Sequence, residues 1–142
     1  GVFTLAPAEV DLLLYSLWPE EQKLYGHGNA AYCVAAAHRV PLIASASRAA
    51  ESQQEQAKIR LWDAASWQPC GALAGHKMTV TQVAFSEDDS LLLSVSRDRA
   101  LCVFERGGDA QDRATGAGYR LMDKVDKAHE RVIWACAWAP PA

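Results

Sequence analysis

Three histidines in this sequence recur at intervals that could supply metal ligands. His27, His76 and His129 follow one another after 49 and 53 residues. Zinc needs three or four ligands that meet at about 2.0–2.3 Å from the ion. Each of these histidines opens a similar stretch of sequence, so a repeating structure would hold them apart, one in each unit. We therefore expect no metal site.

A second set of residues could perform nucleophilic catalysis. Ser94, His76 and Asp98 are the residue types of a nucleophile, its general base and the carboxylate that orients the base. A nucleophilic serine sits on a strained, exposed turn such as G-x-S-x-G, whereas Ser94 lies inside an apolar run. The pair Gly107-Gly108 lacks the Lys and Ser/Thr that complete a phosphate-binding loop. We expect no catalytic residue, no cofactor and no small-molecule substrate.

The elements that position these side chains are predicted to be short strands. Between Gly75 and Glu105, runs rich in apolar residues at Val80–Phe85, Leu91–Ser96 and residues 100–104 alternate with turn residues. This order, opened by a Gly-His pair, is typical of a WD repeat, which forms one blade of a β-propeller. The predicted fold class is therefore all-β, with WD40-type blades.

In such a blade the reactive side chains belong to a buried structural network. The network of one unit would comprise His76, Ser94, Asp98 and Phe104. The network of the preceding unit would comprise His27, Ser45 and Trp62. Phenylalanine has no N–H, so the first set lacks the last link that an indole would supply. The second set lacks an aspartate in the turn.

The repeat also predicts the domain organisation. Residues 1–16 are expected to be a linker or surface segment, and residues 17–142 a WD-repeat propeller fragment. This fragment contains two complete blades, 27–73 and 76–125, with the start of a further blade at 129–142. A propeller ring needs about four to eight blades. We therefore expect the chain to be a fragment of a larger propeller.

The first blade carries a polar insertion, RAAESQQEQA, at residues 48–57. A tight hairpin turn has about two to five residues. Ordering the extra residues costs roughly 1–2 kcal/mol each in conformational entropy, and the segment has little apolar surface to offset it. We expect a mobile, surface-exposed excursion.

The charge balance argues against a dominant phosphate-binding face. The formal net charge is −3, whereas such a face normally brings an excess of basic residues. A local basic patch remains open as a contact surface for RNA or for an acidic partner. Its candidate residues are Arg48, Lys58, Arg97 and Arg99. The alternative is that these are ordinary solvated charges at the ends of loops.

The cysteines and the apolar runs indicate an intracellular protein outside the membrane. Four cysteines occur without any C-x-x-C spacing, and we expect them to be reduced thiols, three of them in strands. The longest apolar runs are far shorter than the roughly 20 residues that span a bilayer.

Several segments are more specific than a generic WD repeat. LWPEEQKLYGHG (residues 17–28), TVTQVAFS (79–86), LLSVSRDR (92–99) and HERVIWACAWAP (129–140) resemble the Elongator complex subunit 2 family, in its second propeller, in the same order and at similar spacing. The long insertion after the serine-rich strand is a further shared feature. The resemblance covers nearly all of residues 17–140. It implies that the complete propeller has seven blades.

The resemblance implies a non-catalytic scaffold in a complex that modifies the wobble uridine of tRNAs and has also been linked to transcription elongation. The implied partners are Elongator subunits 1 and 3, with tRNA contacted only indirectly or weakly. The acetyl-CoA, radical-SAM and iron–sulfur chemistry of that complex lies on subunit 3. The implied location is the cytoplasm and the nucleus. A second class of function stays open, a generic WD adaptor with a direct RNA-contacting surface.

Overall fold

The computed structural model describes residues 20–107 and 118–140, which form two antiparallel sheets of four strands each. The first sheet contains β1 (Ala31–Ala36), β2 (Leu42–Ser47), β3 (Ile59–Asp63) and β4 (Gln68–Leu73). The second contains β5 (Val80–Phe85), β6 (Leu91–Ser96), β7 (Leu101–Arg106) and β8 (Tyr119–Val125). Strands adjacent in the chain are adjacent in each sheet. The all-β prediction is confirmed, and each sheet is one propeller blade.

The second strand of each blade is its most buried part. In β2 (LIASAS) and β6 (LLLSVS) five of the six residues are buried. A strand covered on both faces needs small or apolar side chains throughout, so its sequence shows a continuous run in place of alternation. The serines fit because their hydroxyls find partners inside the blade, such as Ser96 Oγ, which donates to the carbonyl of Thr79 at 2.9 Å.

The hydrophobic core lies between the two sheets. It joins buried side chains of both blades, including Leu42, Leu61, Phe85, Leu92 and Phe104. The first strands of the two blades also meet, and the Cys33 thiol in β1 contacts the carbonyl of Val80 in β5 at 3.4 Å. The two blades therefore share one core.

The insertion at residues 48–57 is exposed along most of its length, as its composition predicts, but it is held near both ends. Ala49 and Ala57 are only 5% and 2% exposed, and Gln54–Ala57 forms a 3-10 helix. The N–H of Ala49 donates to the Thr79 hydroxyl at 2.9 Å, and the N–H of Thr79 donates to the Ala49 carbonyl at 3.1 Å. The prediction of an exposed segment is confirmed for residues 50–55. The burial of Ala49 and Ala57 was not predicted, because the prediction counted only the apolar area of the segment itself. The second blade supplies the surface and the hydrogen bonds that hold its start.

The predicted start of a further blade at 129–142 can be followed to residue 140, and there it is not a strand. It nevertheless lies along β5. The N–H of Cys136 donates to Gln82 Oε1, and the Trp138 indole donates to the carbonyl of Ala84, both at 2.9 Å. The predicted linker at 1–16 lies outside the described residues. No helix in the described part of the chain is long and apolar enough to cross a membrane.

Candidate functional site

The second blade brings three of its four predicted network residues into hydrogen-bond contact. His76 precedes β5, Ser94 lies in the middle of β6, and Asp98 lies in the hairpin turn between β6 and β7. His76 Nε2 is 2.7 Å from Ser94 Oγ, and His76 Nδ1 is 3.2 and 3.3 Å from the two carboxylate oxygens of Asp98. The side chains of His76 and Asp98 are 1% and 8% exposed. The ring thus bridges the central strand and the turn.

Asp98 is held as a carboxylate. Besides the His76 ring, it accepts the backbone N–H of Lys77 at 2.8 Å and that of Ala100 at 2.9 Å. Burial alone would raise the pKa of Asp98, but the hydrogen bonds from His76, Lys77 and Ala100 outweigh it and keep that pKa well below its ordinary range. Asp98 therefore stabilises its own hairpin turn and fixes the loop that precedes β5.

Phe104, the fourth predicted member, contributes packing and no hydrogen bond. Its side chain in β7 is 0% exposed and lies against the loop before His76. A Cβ atom built on Gly75 would lie 3.1 Å from Cys102 Sγ and 3.4 Å from Phe104 Cζ. A side chain at position 75 would therefore crowd Cys102 and Phe104, which explains why this residue is a glycine.

The first blade holds a different network. His27 Nε2 is 2.7 Å from Ser45 Oγ, and the Trp62 indole N–H donates to the same hydroxyl at 2.8 Å. A Cβ on Gly26 would lie 2.8 Å from Trp62 Cη2, so this glycine makes room for the indole. Burial, followed by the positive charge of Arg60, lowers the pKa of His27. The ring is therefore neutral at neutral pH.

The connectivity of Ser94, His76 and Asp98 is that of a catalytic triad, but its placement is not. A nucleophilic serine must reach a substrate carbonyl, and Ser94 is 0% exposed in the central strand of its blade. The same hydrogen bonds hold the loop before β5 and the turn between β6 and β7 in place. The three residues thus stabilise the fold.

The histidines do not converge. His27 and His76 each bind within their own blade, and His129 is exposed. Within residues 20–107 and 118–140, no three His, Cys, Asp or Glu side chains are arranged to hold a metal ion.

All four cysteines are free thiols. Burial raises the pKa of Cys33, Cys102 and Cys136 to about 11 each. A thiolate is the reactive form of cysteine, so these three side chains remain protonated thiols at neutral pH. Cys102 is buried, and Cys33 and Cys136 are half-buried.

Three of the four predicted contact residues meet at one end of the blades. Arg48 and Arg97 line a cleft of about 420 Å³ together with Tyr32 and Trp134. Arg97 also lines a neighbouring cleft of about 410 Å³ with Arg99. We call Arg48, Arg97 and Arg99 the basic surface.

Lys58, the fourth predicted contact residue, lines neither of these clefts. Its ammonium group forms an ion pair with Glu55 of the insertion at 2.9 Å. The basic surface therefore consists of arginines from the insertion of the first blade and the β6–β7 turn of the second.

Two residues with structural roles were missed by the sequence reasoning. Thr79, just before the predicted strand Val80–Phe85, was given no role, although its hydroxyl and N–H bind the insertion of the other blade. Asp89 was counted only among the polar turn residues between two predicted strands, yet it is 0% exposed. Its neighbour Asp88 is exposed. The two adjacent aspartates look alike in the sequence, and no local signal distinguishes them.

Comparison with known proteins supports the fold. A family model described as "WD domain, G-beta repeat" matches residues 67–105. The β-propeller domain of Cps50 (Swd1) from Myceliophteria thermophila superimposes with a TM-score of 0.56 at 18% identity, over 76% of this chain and 28% of that one. The fold and the repeat define part of a WD-repeat β-propeller.

The sequence comparison is more specific. Elongator complex protein 2 of Mus musculus is 46% identical over 99% of this chain and 17% of that protein. Its counterpart in Arabidopsis thaliana is 43% identical over 94% of this chain and 15% of that protein. The resemblance to the Elongator subunit 2 family is confirmed. The chain spans only about 15–17% of the length of these two relatives.

Proposed function

We propose that the chain is part of a non-catalytic scaffold subunit of the Elongator complex, one that supports modification of the tRNA wobble uridine in the cytoplasm and nucleus. The similarity to Elongator complex protein 2 along nearly the whole chain supports membership of that complex. The observation that supports a scaffold role is the burial of the Ser94–His76–Asp98 network. The residues best suited to chemistry here are occupied in holding a blade together.

The basic surface is the proposed place of contact with another subunit, subunit 1 or 3. Arg48 comes from the first blade and Arg97 from the second, so the packing of the blades creates the pair. Tyr32 and Trp134 beside them are 40% and 60% exposed. Arginine and aromatic residues are enriched at protein interfaces, where they supply most of the binding energy. The complementary partner surface is acidic.

Direct RNA contact is the second candidate, and the same cleft favours it. Guanidinium groups bind phosphates, and aromatic rings stack on bases, so Arg48 and Arg97 with Tyr32 and Trp134 suit a single strand. Glu51 lines both clefts, however, and places a negative charge where a phosphate would lie. With a net charge of −3 for the chain, we favour a protein partner.

Charge reversal tests the contact surface. Arg48→Glu combined with Arg97→Glu, in the full-length subunit, is expected to reduce recovery of subunits 1 and 3 in co-purification by roughly tenfold or more, since hot-spot arginines contribute at least about 2 kcal/mol. The matched control is Arg120→Glu. That residue lies in β8 and forms an ion pair with Glu105 at 2.9 Å, away from the basic surface. Binding of tRNA is measured in parallel at one fixed salt concentration.

The two readouts separate the candidates. Loss of the subunits with unchanged tRNA binding supports the protein contact. Normal co-purification with weaker tRNA binding supports the RNA contact instead. If neither changes, the basic surface is ordinary solvated charge. Failure of the unaltered protein to co-purify with any Elongator subunit would overturn the scaffold proposal.

A further inference from the structure

The turn between β5 and β6 contains a buried carboxylate that the blade's own network does not use. Asp89 is 0% exposed. Its backbone φ is 61°, in the left-handed region that non-glycine residues rarely adopt, although aspartate tolerates it better than most. Both the burial of a carboxylate and this backbone conformation are unfavourable by themselves. The surroundings of Asp89 must therefore compensate for them.

The compensation comes from the other blade. Asp89 Oδ1 accepts the backbone N–H of His38 at 2.8 Å. Asp89 Oδ2 accepts the N–H of Arg39 at 2.6 Å and that of Val40 at 3.1 Å. These three consecutive amides form the turn between β1 and β2. Successive N–H groups that point into one concavity make a binding site for an anionic oxygen, and here a side chain of the neighbouring blade fills it.

The backbone of Asp89 is held from a second direction. The Tyr119 hydroxyl, at the start of β8, donates a hydrogen bond to the Asp89 carbonyl. Tyr119 is 6% exposed and packs edge-on against Phe85, with ring centroids 5.9 Å apart. Burial raises the pKa of Tyr119 to about 12, so the hydroxyl keeps its proton and remains a donor. The outermost strand of the second blade thus fixes the turn that carries the carboxylate.

Asp88 provides an internal contrast. It is exposed, and its Oδ1 accepts hydrogen bonds from the hydroxyls of Ser86 and Ser90 and from the N–H of Ser90. All of these partners lie in its own turn. Of two adjacent aspartates, one therefore shapes the turn and the other reaches across to the first blade.

We propose that Asp89 is an inter-blade clasp: its carboxylate locks the β1–β2 turn of the first blade onto the second. The left-handed backbone of Asp89 aims the side chain at the three amides. The hydrogen bonds between Thr79 and Ala49 join the blades at the opposite end of β5. With β5 tied at both ends, the seam between the blades opens only when one of these ties breaks.

Hydrogen exchange of the full-length protein tests the clasp directly. In the unaltered protein the amides of His38, Arg39 and Val40 exchange slowly. Asp89→Asn keeps the size of the side chain but removes its charge and replaces one acceptor oxygen with an NH₂ group. Exchange at these three amides is expected to rise by roughly tenfold or more, as for loss of a hydrogen bond to a charged acceptor. The control Asp88→Asn is expected to leave their exchange within about twofold.

A second variant separates the clasp from the needs of the turn. Asp89→Gly suits a φ of 61° but has no acceptor, so exchange at residues 38–40 is expected to rise as much as in Asp89→Asn. If the glycine variant keeps slow exchange there, Asp89 serves only its own turn and the clasp is overturned. Should neither Asp89 variant fold, Tyr119→Phe removes only the bond to the Asp89 carbonyl. Faster exchange at residues 38–40 in that variant supports the clasp, and unchanged exchange refutes it.

Discussion

The two blades have the same strand order but stabilise their interiors with different chemistry. In the first, a neutral hydroxyl is shared between His27 and the indole of Trp62. In the second, His76 lies between Ser94 and the carboxylate of Asp98. Each blade lacks one part that the other has, the acid in the first and the indole in the second. A histidine and a serine are thus common to both, and either an acid or an indole completes the set.

The difference has an energetic consequence. Hydrogen bonds to a charged group contribute about 1.5–3 kcal/mol each, against about 0.5–1.5 kcal/mol for a neutral pair. The second blade depends on a few strong bonds to Asp98. The first depends on neutral bonds, on the packing of Trp62 against Gly26 and on the insertion that docks on the second blade.

Removing the acid should have the largest effect. Asp98→Ala takes the acceptor away from His76 and from two backbone N–H groups, and we expect a loss of roughly 3 kcal/mol or more in the free energy of unfolding of the second blade. Hydrogen exchange at the amides of β6 and β7 measures it. The control is Asp63→Ala, because Asp63 also accepts turn amides, from Ala65 at 2.7 Å and Ser66 at 3.3 Å, but holds no histidine. Both of its bonds are exposed to solvent, so its expected loss is smaller, about 1 kcal/mol.

His76→Ala should lower the free energy of unfolding nearly as much as Asp98→Ala, and the losses from the two substitutions should not add. Residues in one network show coupling of about 0.5–3 kcal/mol, so the double variant is expected to lose clearly less than the sum. Strict additivity, or a folded Asp98→Ala protein that merely loses a binding partner, would show that Asp98 is a surface contact and not part of the network.

Exchanging the aromatic residues of the two blades should have an intermediate effect on the free energy of unfolding, and the effect should differ between the blades. Phe104→Trp adds a ring to a fully buried site where Gly75 and Cys102 already approach closely, and overpacking of this kind costs about 1–3 kcal/mol. Trp62→Phe removes one hydrogen bond to Ser45, which retains its bond to His27, so about 1 kcal/mol is expected. Chemical denaturation of both variants under identical conditions provides the comparison.

The result would also show whether the second blade has room for an indole. If Phe104→Trp were stabilising, the blade could accommodate an indole beside Gly75, in the loop before His76. The absence of tryptophan there would then have no steric basis.

The smallest expected effect is a pH dependence of the free energy of unfolding. It begins at a different pH for the network of each blade. The folded pKa of His27 is lowered, so its contribution is fully present above the ordinary pKa of about 6.5 and declines as pH falls below it. The folded pKa of Asp98 is also lowered, but its contribution begins to decline only when pH falls below the ordinary carboxyl value of about 3.9.

Thermal melting at about pH 7.5 and pH 5.5 should therefore detect His27. Its variant His27→Gln is expected to show a smaller decrease in melting temperature across this range than the unaltered protein. An equal decrease in both would mean that His27 titrates normally in the folded state.

Much of this organisation could be predicted from the sequence. The strands β5 and β6 have the predicted boundaries, because each is a run rich in apolar residues that is ended by turn residues. Ser94, His76 and Asp98 could be grouped because the repeat gives each a position within its unit, independent of long-range packing. The arrangement of blade strands is local, since each strand pairs with the next one along the chain.

What could not be predicted lies between the blades. A polar insertion was expected to be free in solvent, yet Ala49 is buried on a loop of the second blade. Four basic residues were grouped by sequence, yet Lys58 pairs with Glu55 while Arg48 and Arg97 share a cleft. The Lys58–Glu55 pair is local, between residues three apart. The burial of Ala49 and the meeting of Arg48 with Arg97 depend on how the two sheets meet, which no pattern of period two within one strand describes.

The sequence by itself therefore determined the content of each blade, because strand periodicity, turn residues and the histidine–serine pairing act over short distances along the chain. Only the tertiary structure decided how the blades are joined. Asp88 and Asp89 have the same side chain and adjacent positions, but one is exposed and the other accepts three amides about fifty residues away. The physical reason is that the turn directs one carboxylate to solvent and the other to a concavity formed by the neighbouring blade, which exists only once both blades have folded.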